Sequence, residues 1–418
     1  MAVIISEDRV RSHDWMLVEG AVGMRGRSRF VSIADQGLNS VSNFALVAFA
    51  AMGSSAPEFG QFSISYAFFT FLLGLGRALV GETALVHESS DGRTAPVSAI
   101  IGAALLPAVP GAILLCGIGA FTQAEYRSLW FVLAGAVLVA LVQDAIRYAL
   151  LVQGRPDLAL MIDGVWTVPA LGAMGVSALV GASAAVIAAC WAGAALISAV
   201  VGCLTVRVLP NPVAGTRWLL MHRTSSTRYA LEFSSLNAST LVVWVVLAPI
   251  LGVAGVGALR GAQLLMSPLN TVFSSLRIAM IPELIRVRST DRFRSRLIEY
   301  AAILAGTTVL WSGLILVLND GLGGSLLGAT WDGAAPLRAA YVAQYVFMAV
   351  YTLLLTLFRV DRLNRQSSVM RAVLAVLTLA GPTLLALAVG TGGAAWGFTA
   401  AVAASVGTGI FLLRGIRR

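Results

Sequence analysis

The chain has 418 residues, of which 58% are hydrophobic and only 12% charged, and its formal net charge is +9. Soluble globular domains are about 45–50% apolar and about 25% charged, so this chain carries more apolar surface than one water-soluble core hides, and much of that surface faces lipid. All 29 lysine-or-arginine positions are arginines, and most sit in short segments between apolar spans, a distribution that argues against a nucleic-acid partner and for anionic membrane lipids.

A helix needs about 20 mostly apolar residues to cross a bilayer. After a cytoplasmic N-terminal segment, 1–28, six such spans follow at 29–51, 62–87, 95–119, 129–153, 157–180 and 183–206. A linker, 207–228, separates them from six more at 229–253, 258–283, 297–319, 335–360, 367–390 and 394–414, and 415–418 forms a short tail. The predicted fold class is therefore an all-α polytopic membrane protein with twelve transmembrane helices. Its domains are an N-lobe, 29–206, and a C-lobe, 229–414.

Orientation follows from the loops, because arginine is retained on the cytoplasmic side. One alternate set of loops and ends, including 207–228 and 284–296, holds twenty arginines, whereas the other holds Arg127 alone. Both termini are thus expected in the cytoplasm of a bacterial plasma-membrane protein. No loop is long enough for a soluble catalytic domain, and the longest outer one, 320–334, is rich in glycine.

Several polar residues interrupt the spans. Asp35, Asn39 and Ser42 fall on one helical face, with Gln36, Ser40 and Asn43 on the adjoining stripe. They either bond to neighbouring helices or line a cavity. Arg77 lies in the second span; it snorkels to the inner headgroups or offers its planar fork to a phosphate. Asp144 and Arg147, three residues apart in the fourth span, are placed to pair on one face. Asp163 and Trp166 open the fifth, where the tryptophan anchors at the interface or stacks on a sugar. Cys116, Cys190 and Cys203 fall in apolar spans and read as packing residues, and the isolated His13, His87 and His222 form no metal cluster.

The halves read as repeats. Span 1 contains DQGLNSVSNF and span 7 EFSSLNASTL, which pairs Asp35 with Glu232 and Asn39 with Asn237. GLGRALVGETAL in span 2 matches FSSLRIAMIPEL in span 8 and pairs Arg77 with Arg277. Six spans per half is an even number, so the repeats insert in parallel around a central cavity. The expectation is that Arg77 and Arg277 face each other across the lobes.

With these features, and with the stretches ADQGLNSVSNF and EFGQFSISYAFFTFLLGLGRALVGETALV, the chain resembles the superfamily of multidrug exporters and lipid-linked oligosaccharide flippases. Within it the likeness is to the polysaccharide flippase branch, in particular its actinobacterial members. The resemblance implies alternating access and a polyprenyl-diphosphate-linked glycan cargo moved from the inner to the outer leaflet. It implies no catalysis, and a polysaccharide polymerase or glycosyltransferases as partners. The expected substrate-binding residues are Arg77, Arg277, Asn39, Asn237, Arg147 and Trp166. The expected coupling or gating residues are Asp35, Glu232, Asp144 and Asp163, with H+ or Na+ as the coupling ion and no cofactor. The lipid II flippase branch carries more spans than the twelve counted here, and the multidrug branch uses an acid in span 1. A cation-coupled multidrug or metabolite exporter of the same fold is therefore the alternative.

The arginine asymmetry is directly testable. Single cysteines placed in 207–228 and 284–296 of a Cys-free variant are expected to resist an impermeant thiol reagent in intact cells, and cysteines in 52–61 and 320–334 to react. Labelling of either inner loop would overturn the orientation.

Overall fold

The computed structural model describes Leu38, residues 41–90 and residues 96–416. Asp35, Asn39 and the N-terminal segment lie outside them. Every regular element among the described residues is helical. In chain order, α1 spans Val41–Gly53. Next, α2 runs from Ala56–Gly76 through a π-helical stretch, Arg77–Glu82, into Thr83–Ser90. Then come α3 (Val97–Phe121), α4 (Arg127–Val152), α5 (Pro156–Leu179) and α6 (Ala184–Val206). They are followed by α7 (Pro212–Met221), α8 (Arg223–Val287), α9 (Arg292–Leu316), α10 (Asp320–Leu327), α11 (Arg338–Val360) and α12 (Asn364–Ile416).

Among the described residues nine helical stretches are long and apolar enough to cross a bilayer. Two of them, α8 and α12, are hairpins rather than rods. Gly252 (φ 70°, ψ 165°) and Gly390 (φ 68°, ψ −145°) adopt conformations that break the helical run, which only glycine takes up cheaply. The Arg260 guanidinium lies 5.2 Å from the Trp244 ring centre; along a straight helix these residues would be about 24 Å apart. Ser405 Oγ likewise donates to the Met370 carbonyl at 2.8 Å across the second reversal. With each hairpin divided and the shorter α1 added, the twelve predicted spans are all accounted for.

Two groups of helices result. In the first, α4 packs on α2, α3 and α6, and α6 on α5. Trp191 Nε1 donates to Ser42 Oγ at 3.1 Å, and Tyr66 donates to Asn43 Oδ1 at 3.2 Å, which ties α1 into this group. In the second, α8, α9, α11 and α12 pack on one another. The seam between the groups is formed chiefly by α2 against α8.

Close to the Gly252 reversal that seam is a backbone-to-backbone approach. A Cβ at Gly60 would sit 1.8 Å from the Val253 carbonyl oxygen, and one at Gly257 3.1 Å from the Gly60 nitrogen. No side chain fits there without forcing the helices apart. At the other end of the seam, near the linker, Thr83 and Ser226 hydroxyls meet at 3.1 Å and His87 Nε2 lies 2.8 Å from Ser225 Oγ.

Two segments predicted as loops contain helix. The linker holds α7, which begins with Asn211 accepting from the Ala214 amide at 3.0 Å and with Pro212 in its first turn. Trp218 then buries against Val80, Ala99 and Ile100, so the linker is docked rather than free. The glycine-rich 320–334 forms α10 and a short turn at Trp331–Ala334, where Trp331 Nε1 donates to Asp320 Oδ1 at 2.9 Å.

Candidate functional site

The main cavity, about 860 Å³, lies between the two groups of helices, walled by α1 and α2 on one side and the second half of α8 on the other. Its polar lining is Asn43, Tyr66 and Arg77 from the first group and Arg260, Gln263, Ser267, Asn270 and Thr271 from the second. Among the described residues, two arginines contribute to this wall and no carboxylate does.

Arg77 opens the π-helical stretch of α2. Such a stretch inserts an extra residue into the helical turn and is common at functional sites. Its guanidinium makes a two-pronged bridge to Asp144 of α4, Nε to Oδ2 at 2.5 Å and Nη2 to Oδ1 at 3.1 Å. Asp144 is almost completely buried, with 3% of its side chain exposed, against 28% for Arg77. The aspartate thus neutralises Arg77 from behind while the arginine keeps one edge on the cavity.

The pair that the sequence suggested between Asp144 and Arg147 forms, as a long contact of 3.9 Å. Arg147 lies closer to Asp163, Nε to Oδ2 at 3.3 Å, and Gln143 Nε2 donates to the other oxygen of Asp163 at 2.7 Å. The helix spacing allowed the local pair; a carboxylate on α5 and an arginine on α2 each offered better geometry. Arg147, Asp144 and Asp163 are therefore buried members of an alternating charge network within the first group, and none lines the main cavity. Trp166 is also buried, donating to the Trp191 carbonyl at 3.2 Å with its ring 4.8 Å from that of Trp191.

The residues expected from the second half are placed elsewhere. Arg277 and Asn237 line a separate cavity inside the second group, so Arg277 does not face Arg77. Asn237 donates to the Phe233 carbonyl at 2.8 Å. Glu232 is exposed at the linker end of α8.

The arginine opposite Arg77 is Arg260, which sequence reasoning missed. Its Nη1 donates to Gln263 Oε1 at 2.8 Å and its guanidinium sits over Trp244, but Nε is buried with no hydrogen-bond partner among the described residues. Tyr66, Tyr341 and Tyr345 surround it electrostatically. One signal was present in the sequence. Arg260 stands inside a predicted span, close to the end assigned to the arginine-poor side.

No protein-family model and no curated protein matches this sequence. Solved structures do match the fold. An inward-facing multidrug resistance MATE family transporter of the MOP superfamily aligns with TM-score 0.70 and 14% identity over 90% of this chain and 93% of that one. The lipid II flippase MurJ, in an inward closed conformation, aligns with TM-score 0.70 and 12% identity over 92% of this chain and 87% of that one. A MOP superfamily transporter from Pyrococcus furiosus, described by the reverse polarity of its binding pocket, aligns with TM-score 0.54 and 12% identity over 94% of each chain. This chain has the polytopic helical fold of MOP superfamily transporters.

The Arg77–Asp144 bridge generates a stability prediction. Arg77→Met leaves Asp144 buried without its partner and is expected to cost about 3 kcal/mol, whereas Arg77→Met with Asp144→Leu recovers most of that loss. Thermal unfolding of the two variants checks this. Equal losses in both would show that the pair is not what holds α2 to α4.

Proposed function

We propose that this protein is a flippase for a polyprenyl-diphosphate-linked oligosaccharide or polysaccharide precursor, carried from the inner to the outer leaflet by alternating access. The observation that carries the reading is the charge of the main cavity: among the described residues its lining holds two arginines from opposite groups of helices and no carboxylate. Guanidinium groups bind phosphate oxygens through charge-assisted, often two-pronged hydrogen bonds. An organic cation would instead have to approach Arg260, whose charge no described carboxylate balances.

In this reading the linker end faces the cytoplasm. The diphosphate binds between Arg77, held in place by Asp144, and Arg260, held by Gln263 and Trp244. The hydroxyl and amide groups of Tyr66, Asn43, Ser267 and Asn270 meet the first sugars, and the polyprenyl tail stays in lipid. The close approach of Gly60 to Gly257 seals the outer end. An inward-facing arrangement fits the comparison, since the likeness to an outward-facing MATE transporter is lower, at TM-score 0.61. The coupling carboxylate in this reading is Asp35, with H+ or Na+ as the ion. Glycosyltransferases on the cytoplasmic side would supply the cargo and a polysaccharide polymerase outside would consume it.

Flipping of a fluorescent polyprenyl-diphosphate sugar in proteoliposomes tests this. Arg260→Gln is expected to slow flipping about tenfold or more, the loss of one charge-assisted contact, and Arg260→Lys to restore part of the rate. Undiminished flipping in Arg260→Gln, or gradient-driven uptake of tetraphenylphosphonium by the wild type, would favour the cation exporter instead.

A further inference from the structure

The second group of helices encloses its own cavity, about 310 Å³, between α8, α11 and α12. It shares no lining residue with the main cavity. Its walls carry Arg277 from α8, Arg371 from α12, Tyr351 from α11, and the hydroxyls of Ser239, Thr240 and Thr378. Arg277 and Arg371 are within electrostatic reach of each other, and the exposed Arg359 on α11 is within reach of both.

The contrast with the first group is chemical. There, Arg77 and Arg147 each meet a buried aspartate. Among the described residues, neither Arg277, Arg359 nor Arg371 makes an ion pair or a side-chain hydrogen bond. Like charges gathered in a half-buried cavity repel one another, and the usual remedy, a carboxylate, is missing from the lining among the described residues. A bound anion supplies the absent charge. The hydroxyls of Ser239, Thr240, Thr378 and Tyr351 add donors around the guanidiniums, the mixture that suits a tetrahedral oxyanion with several oxygens to satisfy. The volume admits one such ion with several waters at about 30 Å³ each.

We propose that this cavity is a second anion site, taking a phosphate group whose charge holds α8, α11 and α12 together. The chemistry is the same whether the group arrives as free phosphate or as the headgroup of an anionic phospholipid. The site stands apart from the main cavity and does not depend on what that cavity carries. It also makes the second group responsive to an anion: with the site empty, Arg277 and Arg371 push α8 and α12 apart.

The test uses the full chain in nanodiscs. In one arm the lipid is phosphatidylcholine and inorganic phosphate is titrated; in the other, phosphatidylglycerol replaces part of the lipid and no phosphate is added. The wild type is expected to melt at higher temperature in at least one arm, and the responding arm identifies the source. The double variant Arg277→Gln, Arg371→Gln is expected to need about tenfold more ligand for the same shift. Without ligand it is expected to melt above the wild type, because the repulsion is gone; a merely structural pair would melt lower. Arg277→Lys with Arg371→Lys keeps the charge and should retain part of the response, while Arg260→Gln should leave the part of it that depends on Arg277 and Arg371. The proposal is overturned if neither phosphate nor phosphatidylglycerol stabilises the wild type more than the double Gln variant. It is equally overturned if Arg260→Gln removes the response, which would place the anion in the main cavity.

Discussion

A guanidinium among apolar helices costs about 2.5–3.5 kcal/mol on insertion scales unless something neutralises or hydrates it. That constraint organises the molecule. Around α4, Arg77 and Arg147 alternate with Asp144 and Asp163, so the first group of helices carries its internal charges in balance. The second group differs: Arg260 has an amide, an indole ring and tyrosines beside it, and among the described residues neither it, Arg277 nor Arg371 pairs with a carboxylate. The N-terminal half carries its buried charges in pairs, and the C-terminal half holds positive charge that, in our proposal, an incoming anion completes.

The same asymmetry bears on how movement is driven. An inside-negative potential favours outward transfer of negative charge by about 2.3 kcal/mol per elementary charge per 100 mV. In the proposed flippase, a diphosphate moving outward between Arg77 and Arg260 would gain from that field, and the return of the empty lobes would be the step that needs a separate bias. Repulsion among unneutralised arginines is one source of bias, because it is present only when no anion is bound. Backbone contact at Gly60 and Gly257 gives the lobes a tight seam about which to part.

The spans were legible in the sequence because lipid imposes a length and an apolarity that leave little choice. Arg77 was legible for a related reason, a charge in mid-span with a counterpart in the repeat. Its partner was not, since Asp144 is 67 residues away and the nearby Arg147 offered a plausible local pair. The repeat also misled: it matched Arg277 to Arg77 by position, whereas the structure sets Arg260 opposite Arg77. A parallel repeat fixes which helices correspond, but the side chain that reaches the cavity depends on helix rotation, and the π-helical stretch at Arg77–Glu82 alters that rotation on one side only. In the linker, Asn211 and Pro212 were a readable start signal for α7, hidden by the expectation that a charged connector is unstructured.

The central claim is that the main cavity selects anions. Isothermal titration of the purified chain with a short-chain polyprenyl-diphosphate sugar, and separately with tetraphenylphosphonium, measures that selection without any transport step. The account predicts saturable binding of the diphosphate, weakened about tenfold in Arg260→Gln, and no binding of the phosphonium cation. Saturable phosphonium binding together with no heat from the diphosphate would contradict it.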